Sequence, residues 1–318
     1  MKILYLGAYP RSGSTLLSRV LGEADGAICI GETRYLWDRG LINNVDCGCG
    51  APFRTCAFWQ AVGQEAFGGW ERLDARELCE LDRRTNLPQM LPFHFAPTLK
   101  PGMKSMIARY TDVLASLYAA IAQVSGARLI VEMSKDPTFA CLLRRMPAAD
   151  VRVVHLIRDS RAVAHSWTRR RRMPSPIGAQ EFMSRSTPTH AAIRWLAWNG
   201  GFHMLHGAGF PYLKLRYESF VRAPRPALAR LSAFAGEDLL PGEAQLQAHA
   251  VRLGAHHIFS GNPMRAHLGW VALELDEEWQ TGLAAGDRAK VTAMTLPLLA
   301  AYGYPLSGKR IGARARAG

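Results

Sequence analysis

Short apolar runs of strand length recur along the chain, and segments with helical spacing of apolar residues lie between them. The runs predict strands at residues 2–7, 27–30, 128–131, 151–157 and 211–216. Buried strands that alternate with helices are typical of an α/β domain with a parallel sheet. We therefore predict a three-layer α/β domain with a mainly parallel sheet of about five strands and helices on both faces.

Helical spacing dominates between residues 59 and 125, although four prolines interrupt it: Pro88, Pro92, Pro97 and Pro101. A long periodic helix is predicted at 103–124. No linker rich in proline or serine divides the chain. We predict a single domain over residues 1–307, with a helical insertion at about 40–127.

A polar turn at residues 10–15 joins the first predicted strand to a helix that starts near Ser14. Gly13 allows backbone N–H groups to approach an anion, and the hydroxyls of Ser14 and Thr15 can donate to it. Arg11 adds a cation on the entering side of the turn. Because Ser14 follows Gly13, the loop lacks the lysine of a Walker A motif. The pattern predicts an anion-binding loop within a P-loop-like topology.

Three further polar turns follow predicted strands. Glu32 follows the second strand, Lys135 the third and Arg158 the fourth. The carboxyl ends of parallel strands meet at one edge of the sheet, so these side chains are predicted to share one cleft. Ser166 lies about two helical turns beyond Arg158, and Arg170 about one turn further. Guanidinium and hydroxyl groups at this spacing are suited to a phosphate.

The chain of 318 residues has a formal net charge of +13, which predicts an anionic partner. Part of that charge lies in the arginine run 169–172, predicted as a solvated loop, and in a basic tail at 308–318, predicted to be flexible. No signature of a nucleic-acid-binding module is present, so no nucleic acid is expected as partner. The first apolar run leads into the anion loop and no run could span a membrane, which favours a cytoplasmic protein.

Three of the cysteines are close together in the sequence, at Cys47, Cys49 and Cys56. Their spacing is not a standard zinc pattern, and no fourth ligand lies nearby in the sequence. We therefore expect free thiols, no bound metal and no catalytic role. The same holds for the other three cysteines, which are predicted to be small buried side chains: Cys29, Cys79 and Cys141.

The motifs occur in a specific order: PRSGST at 10–15, GETR at 31–34, SKDP at 134–137, RDSRAVAHS at 158–166, YESF at 217–220 and SGNPMR at 260–265. This order resembles the sulfotransferases that use 3′-phosphoadenosine 5′-phosphosulfate (PAPS). The GETR and SKDP elements are most similar to the bacterial, carbohydrate and protein-tyrosine branches. The resemblance covers nearly the whole chain.

The resemblance implies a donor site built from several segments. The 5′-phosphosulfate would lie on Arg11, Ser12, Gly13, Ser14, Thr15 and Leu16. The 3′-phosphate would bind Arg158 and Ser166, with Arg170 close by. Tyr217 would lie beside the nucleotide, and a loop with Ser260, Gly261, Asn262 and Arg265 would close over the adenosine.

The resemblance also implies a reaction. Glu32 would be the general base for an acceptor hydroxyl, while Lys135 and Arg11 would stabilise the leaving phosphate, so that PAPS is released as 3′,5′-adenosine bisphosphate (PAP). No metal is required. The acceptor would be the hydroxyl of a small molecule, glycan or lipid, covered by the helical insertion.

Two other functions remain open. A P-loop-like kinase or nucleotide hydrolase is opposed by the missing lysine after Gly13. A non-catalytic protein that binds polyanions would also explain the net charge. Neither the acceptor nor the oligomeric state follows from the sequence. The sequence also leaves open the role of the arginine run 169–172, and whether Cys47, Cys49 and Cys56 bind a metal or form a bridge.

Overall fold

The computed structural model describes residues 1–86, 91–95, 99–177 and 180–306. Five strands form one parallel sheet in the order β2-β3-β1-β4-β7. Two antiparallel pairs, β5-β6 and β8-β9, lie outside it. The strands are β1 (Lys2–Gly7), β2 (Ala27–Gly31), β3 (Leu129–Lys135), β4 (Asp150–Ile157), β5 (Arg172–Ile177), β6 (Gln180–Phe182), β7 (Tyr212–Arg216), β8 (Ala250–Leu253) and β9 (Gly269–Ala272).

Helices connect the parallel strands and cover both faces of the sheet. They are α1 (Ser14–Leu21), α2 (Ala57–Phe67), α3 (Ala75–Thr85), α4 (Leu91–His94), α5 (Pro101–Ser125), α6 (Pro137–Arg144), α7 (Ser160–Thr168), α8 (Pro188–Gly207), α9 (Tyr217–Arg222), α10 (Pro224–Ala235), α11 (Trp279–Gly282) and α12 (Ala285–Ala301). A π-helical segment, Leu36–Ile42, follows β2 after one short 3₁₀ turn.

The central strand β1 shows why three layers form. Successive side chains of a strand point to opposite faces, and every residue of Ile3 to Leu6 is fully buried. Ile3 and Tyr5 pack into the core beneath α2, α5 and α6. Leu4 and Leu6 pack into the opposite core with α1, α9 and α10. The prediction of a parallel α/β sheet with helices on both faces is therefore confirmed.

The register of the sheet brings the polar strand ends together. Gly7 of β1 lies opposite Lys135 of β3 on one side and His155 of β4 on the other. Glu32 directly follows Gly31, which pairs with β3. Arg158 follows Ile157, the last residue of β4. The polar residues at these strand ends therefore lie together at one edge of the sheet.

The two antiparallel pairs were not predicted. The arginine run 169–172 was predicted as a loop, but Arg172 begins strand β5, which pairs with β6. Short hairpins of this kind carry a weak sequence pattern, because polar and apolar residues mix along them. The predicted flexible tail at 308–318, together with Pro88 and Pro97, lies outside the described residues. No helix in the described parts of the chain is both long and apolar enough to cross a membrane.

The cysteines differ from the expectation in two respects. The first is that Cys79, predicted to be buried, is only partly buried. The second is that His257 lies among Cys47, Cys49 and Cys56, and none of these three cysteines forms a disulfide in the described structure. The sequence argument against a metal site depended on the lack of a fourth ligand nearby in the sequence. The fold supplies that ligand from a distant segment, so that argument does not hold.

Candidate functional site

A cavity of ≈ 690 Å³ lies at the carboxyl edge of the sheet, beside the N-terminus of α1. Its wall contains seven basic side chains and only three acidic ones. The basic residues are Arg11, Arg34, Arg39, Lys135, Arg158, Arg171 and Arg194, and the acidic residues are Glu32, Asp136 and Asp276. The cavity is therefore suited to a ligand with several negative charges.

The turn between β1 and α1 forms the floor of the cavity. Gly13 has φ 87° and Arg11 has φ 77°, both in the left-handed region. The Arg158 Nη1 atom donates to the Arg11 carbonyl at 3.1 Å and so fastens the turn to β4. Burial, together with the nearby Arg171, lowers the pKa of Arg11 to about 10, so its guanidinium is still charged at neutral pH. The first N–H groups of α1 add a positive potential at the same point.

Glu32 and Lys135 are in direct contact across the ends of β2 and β3. The Lys135 ammonium donates to Glu32 Oε1. Ser260 Oγ donates to Oε2 of the same carboxylate at 2.8 Å, and Arg39 Nη1 lies 3.5 Å from that oxygen. The Glu32 side chain is thus held in one orientation by donors on three separate segments.

Burial and the Arg11 charge lower the pKa of Lys135 to about 7. The Glu32 carboxylate acts in the opposite direction, because it stabilises the charged ammonium that it contacts. The backbone of Lys135 has φ 68°, a strained value for a residue with a side chain. A buried amine that pairs with a carboxylate in a strained turn is typical of a functional site.

Arg158 lies on the opposite side of the anion loop. Its guanidinium carbon is 5.0 Å from the centre of the Tyr217 ring, and Nη2 is 3.3 Å from Asp276 Oδ2. Ser166, on α7, lines the same cavity. The predicted pair Arg158 and Ser166 is therefore brought together with Tyr217.

Helix α8 holds the backbone of both sides of the cavity. Trp195 Nε1 donates to the Arg158 carbonyl at 3.1 Å, and Trp198 Nε1 donates to the Lys135 carbonyl at 2.8 Å. The two tryptophans are one helical turn apart on the same face of α8. One helix face therefore fixes two of the strand ends that carry cations.

Most residues predicted for the site line the cavity: Arg11, Gly13, Ser14, Thr15, Leu16, Glu32, Lys135, Arg158, Ser166, Tyr217, Gly261 and Asn262. Four do not. Ser12 is buried in the turn, and Ser260 lies behind the wall, where its hydroxyl contacts Glu32 and Arg39. The Arg170 guanidinium lies 3.7 Å from the centre of the Phe182 ring, and Arg265 Nη1 donates to the Asp46 carbonyl at 2.9 Å.

Sequence reasoning missed several residues of the wall, namely Arg39, Arg171, Arg194, Trp167 and Trp198. Two of these residues have a buried atom with no hydrogen-bond partner in the described structure: Trp167 Nε1 and Arg171 Nε. Both atoms belong to residues of the wall but are themselves inaccessible to solvent. Arg171 belongs to a run of arginines that could have drawn attention to it, whereas no motif distinguishes the two tryptophans.

The helical insertion was predicted to cover the acceptor. None of its described residues between 40 and 127 lines the cavity. Instead, the apolar faces of α2 and α5 pack on the sheet and on each other. The outer wall comes from Trp167, Arg171, Met173, Met183 and Ser184, on and around the β5-β6 hairpin.

Replacing Gly13 by Ala is expected to lower the free energy of unfolding by about 1–3 kcal/mol and to weaken anion binding. The left-handed φ is unfavourable for Ala, and the new Cβ would lie 2.3 Å from atoms of the Tyr217 ring. Gly126→Ala is the matched control, since Gly126 also has a positive φ but nothing within 4 Å of a Cβ. Thermal denaturation and anion titration of both variants measure the difference. Equal effects of the two substitutions would show that the Tyr217 contact is unimportant.

The fold and site were compared with known proteins. A family model described as "Sulfotransferase family" matches residues 4–241. The search of curated proteins found no match. Among solved structures, the sulfotransferase domain of the Synechococcus PCC 7002 olefin synthase aligns with a TM-score of 0.55 at 20% identity, covering 96% of each chain.

Two further structures align less closely. The sulfotransferase domain from the curacin biosynthetic pathway has a TM-score of 0.49 at 18% identity, covering 96% of this chain and 98% of that one. Sulfotransferase STF9 from Mycobacterium avium has a TM-score of 0.48 at 14% identity, covering 96% of this chain and 78% of that one. The likeness to the olefin synthase domain supports the fold alone. The assignment follows from the family model: this chain belongs to the sulfotransferase family.

Proposed function

We propose that this chain transfers the sulfuryl group of PAPS to the hydroxyl of an acceptor. The observation that supports the proposal most directly is the contact between Glu32 and Lys135 at the ends of neighbouring strands, beside the anion loop. A carboxylate next to a cation can accept a proton from a hydroxyl, while the cation stabilises negative charge that develops nearby in the transition state.

The cavity fits such a donor. Gly13 lets the anion loop pack directly against the Tyr217 ring, because a Cβ there would run into that ring, and its N–H lies in the turn that would approach a phosphate. Ser14 and Thr15 add hydroxyl donors, and Arg158 and Ser166 would hold a second phosphate. PAPS would supply a sulfuryl group that is already joined to a phosphate leaving group.

Each residue then has a distinct role. Glu32 accepts the proton that the acceptor hydroxyl loses as its oxygen bonds to sulfur. Lys135 and Arg11 donate hydrogen bonds to the oxygen that keeps the electron pair when its bond to sulfur breaks. Ser260 and Arg39 orient the Glu32 carboxylate through Oε2, so that Oε1 faces Lys135 and the cavity.

The acceptor side is aromatic. Tyr35, Trp167 and Trp198 line the cavity together with Met173 and Met183. Flat aromatic walls with unsatisfied polar atoms suit a molecule that has both an apolar face and hydroxyl groups. A small-molecule, lipid or glycan hydroxyl is therefore the proposed acceptor class.

Calorimetric binding of PAP, beside AMP, ADP and ATP with and without Mg²⁺, tests the donor. We expect PAP to bind without metal and more tightly than nucleotides that lack the 3′-phosphate. Arg158→Ala should weaken PAP binding by about 10- to 100-fold, because one charge-assisted contact is lost. Arg230→Ala, an exposed arginine on α10, is the control. A preference for ATP with Mg²⁺, or no nucleotide binding, would overturn the proposal.

A further inference from the structure

A second group of reactive side chains lies outside the cavity. Cys47, Cys49, Cys56 and His257 each offer one donor atom, and these four atoms all lie within 4.8 Å of one another. The cysteines come from the segment between the π-helical turn and α2, whereas His257 lies 201 positions beyond Cys56. The cluster therefore joins two segments that are distant in sequence.

Three of the distances between donor atoms are close to those of a tetrahedron around one metal ion, and all of them are within 4.8 Å. Cys49 Sγ is 3.5 Å from Cys56 Sγ. His257 Nδ1 is 3.7 Å from Cys47 Sγ and 3.4 Å from Cys56 Sγ. A tetrahedral zinc ion with bonds of about 2.3 Å to sulfur and about 2.0 Å to nitrogen places its sulfurs about 3.8 Å apart and sulfur and nitrogen about 3.5 Å apart. We propose that Cys47, Cys49, Cys56 and His257 bind one zinc ion.

A disulfide is the main alternative for so many close thiols. All four donor atoms lie within 4.8 Å of one another, whereas a disulfide would need only two of the sulfurs. The separation of 3.5 Å between the sulfurs of Cys49 and Cys56 is also much longer than the S–S bond of about 2.05 Å. A disulfide would leave a third thiol and an imidazole in contact without a role.

The surroundings hold the ligands in place. The Phe58 ring stacks on the His257 imidazole at 4.5 Å, with 13° between the planes. Trp59 Nε1 donates to the His257 carbonyl at 2.9 Å, and the Gly48 N–H donates to the Ile258 carbonyl at 2.9 Å. The imidazole orientation and the turn that carries the first two cysteines are therefore fixed independently of any ion.

The donor set is that of a structural zinc site. Three sulfurs and one ring nitrogen in tetrahedral arrangement favour Zn²⁺ among common cellular metals, and four protein ligands leave no position open for a substrate. Three thiolates around Zn²⁺ carry one net negative charge. The buried Arg265 guanidinium donates to the carbonyls of Asp46 and Ile258, each next to a ligand in the chain, and so lies close enough to offset it.

The zinc ion would anchor the loop that orients Glu32. Three residues after His257, Ser260 donates to the Glu32 carboxylate, and the Asn262 N–H lies 3.4 Å from Thr15 Oγ1 in the anion loop. This second part of the inference rests on the proposed function, whereas the zinc assignment does not. Loss of the ion should remove one restraint from this end of the loop, which the Trp59 and Gly48 hydrogen bonds still hold, and should loosen both contacts.

Elemental analysis of the full-length protein, purified under reducing conditions without chelator, is the first test. We expect about one zinc ion per chain. Replacing zinc by Co²⁺ should produce the strong visible absorption of a tetrahedral thiolate site, and X-ray absorption should show three sulfurs and one nitrogen. A metal-free protein that takes up neither ion, or a disulfide that includes any of these cysteines, would overturn the assignment.

Variants locate the site and separate it from the reaction. Cys49→Ser changes an exposed ligand and should remove the bound zinc, as should His257→Asn. Cys79→Ser, a partly buried cysteine outside the cluster, should keep it. Retention of zinc by both ligand variants would overturn the assignment even if the native protein contains metal.

PAP titration separates the two proposals. If native protein holds zinc but binds no PAP, the donor proposal fails while the zinc site stands. If PAP binds equally well to native protein and to Cys49→Ser, the ion does not anchor the loop. A loss of PAP affinity of about 10-fold on removal of zinc, which Cys79→Ser does not show, is the expected result.

Discussion

Glu32→Gln is expected to reduce turnover by about 100- to 10,000-fold, while PAP affinity changes little. Gln keeps the shape of the side chain and can still contact Ser260 and Lys135, but it cannot accept the proton of the acceptor hydroxyl. Turnover is measured as PAP released from labelled PAPS with an acceptor found by screening. PAP binding by calorimetry is measured on the same preparation.

Glu23→Gln is the matched control for this substitution. Glu23 lies outside the cavity, and its carboxylate accepts a hydrogen bond from the Gly254 N–H at 2.8 Å. Ordinary turnover of Glu32→Gln would remove Glu32 from the mechanism. If turnover and PAP affinity of Glu32→Gln fell together, the charge of Glu32 would instead be needed to shape the donor site.

Lys135→Met is expected to lower turnover by about 100- to 1,000-fold, because a buried donor aimed at the leaving oxygen is lost. Part of the effect would arise through Glu32, which loses the ammonium that it contacts. PAP affinity should also fall, since the same charge attracts the bound phosphate before the reaction. Lys104→Met, an exposed lysine on α5, is the control. An unchanged rate in Lys135→Met would leave the SKDP turn with a purely structural role.

The lowered pKa of Lys135 makes its role visible in the pH dependence of PAP binding. With a pKa of about 7, the free enzyme loses the ammonium charge as pH rises through that value. A bound phosphate favours the charged form and raises the pKa, so binding at about pH 8 should take up a proton and weaken as pH rises. Calorimetry in buffers of different ionisation enthalpy measures the uptake. Equal uptake by native protein and Lys135→Met would assign the proton to another group.

The sheet and the centre of the site could be predicted because both follow from short-range patterns. Glu32 and Lys135 each follow an apolar run, and parallel strands place their carboxyl ends together whatever lies between them in sequence. The same rule located Arg158. A long segment between two strands, such as the one that separates Glu32 from Lys135, does not disturb this reasoning.

The remaining parts depend on where side chains point, which local patterns do not encode. Arg265 lies in a turn with the composition expected for phosphate binding, yet its guanidinium donates to backbone carbonyls away from the cavity. Trp198 belongs to no motif that would mark it, but its indole donates to the Lys135 carbonyl. His257 meets the cysteines only through tertiary folding.

The two indole contacts of α8 set a fixed spacing within the site. Trp195 and Trp198 are about 4.5 Å apart along the helix axis, and they hold the carbonyls of Arg158 and Lys135. Because a helix does not stretch, these contacts fix the spacing of the two backbone segments that carry the cations, whatever ligand is bound. A nucleotide whose phosphates are spaced differently would reach one cation and miss the other. The site would thus select its donor by the distance between the two phosphates, independently of the strength of either contact alone.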